Sequence, residues 1–112
     1  MSPLAALGVH DAAARLAAGE AILIDVREPD EFAAAHIEGA IPAPLSRMPA
    51  AWHALDLPEG KTLIIQCLKG GRSAQVCGLV GPTGPAGQPV FNLTGGIQAW
   101  HEAGLPVVFA SE

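Results

Sequence analysis

Thr62-Leu63-Ile64-Ile65-Gln66-Cys67-Leu68-Lys69-Gly70-Gly71-Arg72-Ser73 is the stretch on which the reading of this chain turns. Leu63 to Ile65 is a short apolar run rich in β-branched residues, and it reads as a buried strand. The strand delivers Cys67 into a loop carrying Lys69, Gly70, Gly71 and Arg72, and a helical pattern begins at Ser73. Gly70 and Gly71 remove the side chains that would keep such a loop from curling, so several backbone N–H groups can converge on one atom. The following helix contributes its free N–H groups and positive end, and Arg72 and Lys69 contribute full charges. A thiol at the centre of that arrangement ionises more readily than an ordinary one. The same donors suit an anionic substrate or a second sulfur bonded to the first.

Upstream, residues 10 to 19 are rich in alanine and end at Gly19, which predicts a short helix packed on a sheet. Ala21-Ile22-Leu23-Ile24-Asp25 is an apolar run without alternation, the pattern of a strand covered on both faces. Parallel strands put function at their carboxyl ends, so Asp25 and Arg27 stand where a site, or a pair tying loops together, is expected. Pro29 opens a helical turn with Asp30 and Glu31 at its acidic start and Phe32 as its anchor. Ala40 to Pro42 reads as an edge strand or loop because of Pro42 and Pro44. Residues 46 to 55 predict a further helix, and Pro58-Glu59-Gly60 a turn into the Thr62 strand.

Downstream, Ser73 to Val80 predicts a helix with Ala74, Val76, Cys77 and Val80 facing inward. The glycines and prolines from Gly81 to Pro89 end it in a loop. Val90 to Leu93 reads as the last strand, Gly95-Gly96 as a tight connection, Ile97 to Ala103 as a helix stopped by Gly104, and Val107 to Phe109 as a segment docked on the body. Trp52 and Trp100 are expected in the core. Strands and helices alternate throughout. The expected fold is α/β, one domain over residues 1–112, with a mostly parallel central sheet and helices on both faces.

Composition narrows the function. Half of the 112 residues are hydrophobic, yet charges and prolines interrupt every apolar segment before it could span a bilayer. No basic segment followed by an apolar stretch opens the chain, and the expected location is the cytoplasm. A net charge of −5 argues against nucleic acid or an anionic membrane as the main partner. Two cysteines make no disulfide framework, and the four histidines show no metal-ligand spacing. No metal or cofactor is expected.

Four stretches together resemble the single-domain rhodaneses, the rhodanese-like sulfurtransferases. They are Asp25-Val26-Arg27-Glu28 with Glu31-Phe32, His36-Ile37-Glu38-Gly39-Ala40-Ile41, Cys67 through Ala74, and Asn92-Leu93 with Gly95-Gly96-Ile97 and Trp100. The resemblance implies a rhodanese-like fold with the cysteine loop at the carboxyl end of a central strand. It implies that Cys67 takes the outer sulfur of a small anionic donor such as thiosulfate, holds it as a persulfide, and passes it to cyanide, a thiol or a sulfur-accepting protein. Leu68, Lys69, Gly70, Gly71, Arg72 and Ser73 would then form the substrate loop, with Arg72 and Lys69 attracting the donor. Asp25 is expected to accept backbone hydrogen bonds, Arg27 to pair with an acid such as Glu31, His36 to pack, and Ser73 and Gln66 to orient the loop. Gly81 to Pro89 departs from the family's usual short connection.

Three other functions compete. Phosphatases and arsenate reductases of similar fold carry a cysteine loop longer by one residue, sized for a tetrahedral oxyanion, whereas Leu68 to Gly71 encloses a single protruding sulfur. In a redox switch, Cys77 would resolve an oxidised Cys67. A binding module or non-detoxifying persulfide carrier would use the same fold for a partner protein.

Overall fold

The computed structural model describes residues 5–110. Its elements run β1 (Ala6–Leu7), α1 (Val9–Ala17), β2 (Ala21–Asp25), α2 (Pro29–Ala34), β3 (Ala35–His36) and β4 (Ile41–Pro42). Then follow a 3-10 turn (Leu45–Arg47), α3 (Ala50–His53), β5 (Thr62–Gln66), α4 (Gly71–Val80), β6 (Val90–Leu93), α5 (Gly96–Glu102) and β7 (Val108–Phe109). Five strands form one sheet in the order β1-β6-β5-β2-β4, every neighbouring pair parallel. The register sets Asp25 beside Gln66, so the ends of β2 and β5 release their loops side by side.

Alternation along the central strands explains the two layers of helix. Ile24, Leu63 and Ile65 point to one face, where they meet Trp52 of α3 and Val76 and Cys77 of α4. Leu23, Ile64 and Leu93 point to the other, against Ala12 of α1 and Ile97 and Trp100 of α5. Successive strand residues face opposite sides, so an unbroken apolar run is what a doubly covered strand requires. The expected α/β sheet with helices on both faces is what the chain forms. No helix among the described residues is long and apolar enough to cross a membrane.

Some boundaries differ from expectation, for local reasons. Residues 46 to 55 do not form one helix: a 3-10 turn stops at Arg47 and α3 is a single turn after Pro49, because proline restricts its predecessor and lacks an N–H. α4 starts at Gly71, two residues early, because Gly70 takes φ +109° and lets the helix begin at once. Its inward face holds Ser73, Val76 and Cys77, with Ala74 and Val80 only half-buried. β1 is too short to leave a sequence period. β7 pairs antiparallel with β3, docking the C-terminal segment.

The Gly81 to Pro89 loop is closed rather than loose. Gln88 is buried, its Oε1 accepts the Ala86 N–H at 2.8 Å, and its Nε2 donates to Pro58 O at 3.2 Å.

Candidate active site

Cys67 leaves β5 at its carboxyl end and is 1% exposed. Its Sγ accepts the Gly70 N–H at 3.0 Å and lies 3.3 Å from Ser73 Oγ. The loop takes this shape because its carbonyls are held from the opposite side. The Ile97 N–H donates to Cys67 O at 2.9 Å and the Gln98 N–H to Leu68 O at 3.0 Å, while Gln66 Nε2 adds a bond to Cys67 O at 3.0 Å. A trans peptide directs its N–H opposite to its C=O. Turning the Leu68 carbonyl onto the first turn of α5 therefore turns the Lys69 N–H toward the sulfur.

Two glycines make this contact possible. Gly96, at φ +60°, lies so close to the loop that a Cβ there would stand 2.5 Å from Leu68 O, and Gly70 needs its positive φ at the end of the loop. Gly71 is different: its φ is ordinary and a Cβ would meet nothing within 4 Å. The glycine pair therefore has one obligatory member, not the two that the curling argument assigned.

Burial pushes the Cys67 thiol pKa up, and the hydrogen bonds outweigh it, so the pKa ends below its ordinary value. The lowering comes from the Ser73 hydroxyl, then the Ser73, Gly70 and Lys69 backbone N–H groups. These are dipoles, where the sequence reading gave much of the work to the Arg72 and Lys69 charges. Arg72 senses the Cys67 charge only behind larger contributions from Glu31 and from burial. Lys69 is exposed and forms no ion pair among the described residues.

The arginines pair differently from expectation. Arg27 does not pair with the Glu31 carboxylate: its Nη2 meets Asp25 Oδ2 at 2.8 Å and its Nε meets Oδ1 at 3.1 Å, both residues being buried. Arg27 also donates to Ala35 O at 2.6 Å, and its backbone N–H donates to Asp25 Oδ1 at 3.0 Å. The pair ties β2 to the end of α2. Glu31 is free to take Arg72, whose Nη1 and Nη2 reach its two oxygens at 2.5 and 2.8 Å. Those bonds hold the Glu31 carboxyl down to about 2, against an opposing push from burial and with help from the Glu28 N–H.

Asn92 is the residue that the sequence reading left without a role. Its Oδ1 lies 2.5 Å from Ser73 Oγ and its Nδ2 donates to Gly70 O at 3.3 Å, so it ties Gly70 to Ser73 where the loop enters α4. The register of β6 on β5, with Asn92 opposite Ile65, puts it there. His36 stacks on Phe32 at 4.3 Å and its ring meets Phe32 O, away from the sulfur.

The chain matches the rhodanese-like domain family over residues 8–103. A protein named sulfurtransferase from Allochromatium vinosum is 37% identical over 89 residues, covering 80% of this chain and 79% of that protein. An uncharacterized protein of Synechocystis sp. is 41% identical over 87 residues, or 78% of this chain, which spans only 46% of that relative's length. Among solved structures, a rhodanese-related protein from Thermoplasma volcanium superposes with a TM-score of 0.79 at 29% identity, covering 93% of this chain and 97% of that one.

Proposed function

The chain belongs to the rhodanese-like domain family, and from that premise we propose that it is a sulfurtransferase that carries sulfane sulfur as a persulfide on Cys67. The observation carrying this reading is the thiol itself: a buried sulfur that accepts the Gly70 N–H at 3.0 Å, with Ser73 Oγ 3.3 Å away and the thiol pKa lowered. No histidine or carboxylate is needed as a base, because the hydrogen bonds already favour the thiolate.

With thiosulfate as donor, the Cys67 thiolate attacks the outer sulfur. The Sγ–S bond forms, the donor's S–S bond breaks, and sulfite leaves with the electron pair. The persulfide anion is then attacked at its outer sulfur by cyanide or a thiolate, which returns Cys67 as thiolate. Splitting the transfer in two makes each step a simple displacement. The loop N–H groups are fixed before the reaction begins, so they stabilise charge on either sulfur without reorganising. A protein thiol as acceptor would make the same chain a carrier.

Intact-protein mass spectrometry after incubation with thiosulfate or a small alkyl persulfide tests the reading, with Cys67→Ser alongside. The wild type should gain one sulfur, about 32 Da, and the variant none, as a covalent intermediate demands. A folded wild type with a free thiol that gains nothing from either donor would falsify the proposal.

A further inference from the structure

The cradle holds two cations, and one of them is already engaged. Arg72 is clamped by both oxygens of Glu31, at 2.5 and 2.8 Å, with each side chain about one-third exposed (34% and 30%). The clamp is built into α2. Glu31 is its third residue, and Oε1 also accepts the Glu28 N–H at 3.1 Å in a capping box. Glu28 is itself held by the Ser46 hydroxyl at 2.5 Å. Glu28, Asp30 and Glu31 thus place three carboxylates at the start of α2. Arg72 feels both Glu31 and the Cys67 charge, so its guanidinium lies within electrostatic reach of the sulfur.

We infer that Glu31 selects the sulfur donor: by occupying the Arg72 fork beside the cradle, it favours organic persulfides of low charge over the thiosulfate dianion. This rests on the sulfurtransferase reading and specifies its substrate class.

Charge separates the two donors. When the Cys67 thiolate attacks thiosulfate, three negative charges gather at the loop, and sulfite takes two of them away. When it attacks a protonated persulfide, one negative charge is present: the Sγ–S bond forms, the donor's S–S bond breaks, and an organic thiolate leaves with the electron pair. A fixed carboxylate acts on each in proportion to the charge that enters. Glu31 remains ionised throughout the physiological range, since Arg72 holds its pKa near 2. Both Nη groups that would form a bidentate bond to an anion already point at a carboxylate. A dianionic donor must compete with Glu31 for them, whereas a neutral persulfide needs only the backbone N–H groups and the Ser73 hydroxyl.

Glu31→Gln tests this: glutamine keeps one oxygen for the Glu28 N–H, and it removes both the charge and the second acceptor that holds the Arg72 fork. The readout is the ratio of two rates of Cys67 persulfide formation, one with thiosulfate and one with a small alkyl persulfide, followed by intact mass. At low ionic strength the thiosulfate-to-persulfide ratio should rise about tenfold in the variant, and the gain should shrink in high salt as charge effects are screened. Asp30→Asn removes the same charge without touching Arg72, and it should move the ratio less than about twofold. An unchanged or lower ratio in Glu31→Gln, or an equal rise in Asp30→Asn, overturns the inference while sulfur loading itself persists. Absence of loading from either donor in the wild type would instead remove the sulfurtransferase reading.

Discussion

Cys67 and Cys77 are both buried thiols of the same core cluster, ten residues apart, and they are driven in opposite directions. Cys77, on the inward face of α4, is pushed up to about 11 by burial. Cys67 is the less exposed of the two, at 1% against 4%, and its pKa is nevertheless lowered. Desolvation acts on both in the same sense. The difference lies in hydrogen bonding: Cys67 has a hydroxyl and several loop N–H groups aimed at it, whereas Cys77 sits inside a helix whose N–H groups are committed to the helix itself. The difference in thiol acidity is a property of the loop's orientation. The same contrast makes Cys77 a poor resolving thiol for a redox switch, since at neutral pH it stays protonated and inward-facing.

Gly96 gives the largest means of collapsing the contrast. Its φ of +60° and the closeness of the Cys67 and Leu68 carbonyls leave no room for a Cβ. Gly96→Ala should push the loop off α5, turn its N–H groups from the sulfur, and make Cys67 behave like Cys77. Persulfide formation at neutral pH should fall by about a hundredfold or more, with a stability loss of roughly 1–3 kcal/mol from the strained backbone. Gly71→Ala, at an open helical position, should instead keep the cradle and change stability by less than about 1 kcal/mol. Loading rates and denaturant midpoints for the two variants check this; equal losses would show that general loop flexibility matters more than the α5 contact.

Ser73 supplies a smaller part of the difference. Its hydroxyl is the largest of the influences lowering the Cys67 pKa, and its own backbone N–H, which any residue would retain, is the next. Ser73→Ala should therefore raise the thiol pKa without returning it to the Cys77 value. Loading at neutral pH should drop about tenfold, the effect of one pKa unit on thiolate population, and recover as the pH is raised. A loss that persists at alkaline pH would mean that the hydroxyl acts on the donor rather than on the thiolate.

The main strands of the sheet were legible because the evidence for them is local. Ala21 to Asp25 and the Thr62 strand are apolar runs closed by a polar residue and punctuated by turn signals, and β2 and β5 occupy those positions. The placement of Cys67 in a loop that needs glycine was legible for the same reason, although the reading did not separate Gly70 from Gly71. What stayed hidden depends on residues distant in sequence. Two acids, Asp25 and Glu31, lie close to Arg27 along the chain, and spacing does not choose between them. The fold does so by burying Asp25 at the end of β2 and carrying Arg72 across 41 positions to Glu31. The cations were assigned to the thiol because a loop rich in charge reads as a field. The carbonyl anchoring by Ile97 and Gln98 that aims the dipoles appears only when α5 is packed beneath the loop.

A change that leaves the loop intact separates the two cysteines through stability. Cys77 has a folded pKa near 11, above its ordinary value of 9.0, so the native state keeps a proton that the unfolded chain releases. The stability this confers is complete below pH 9 and is lost as pH rises through 11, amounting to about 2–3 kcal/mol for a shift of this size. Cys67 has the opposite sign. Its folded pKa is lowered, so its contribution is present above the unfolded value and is lost as pH falls through the folded one. Subtracting the stability of Cys77→Ala from that of the wild type should therefore give a curve that declines between pH 9 and 11. The same subtraction for Cys67→Ala should give one that rises toward pH 9 and then levels. Urea unfolding across this range measures both curves. Parallel slopes would show that the loop donors do not hold the Cys67 thiolate in the resting protein.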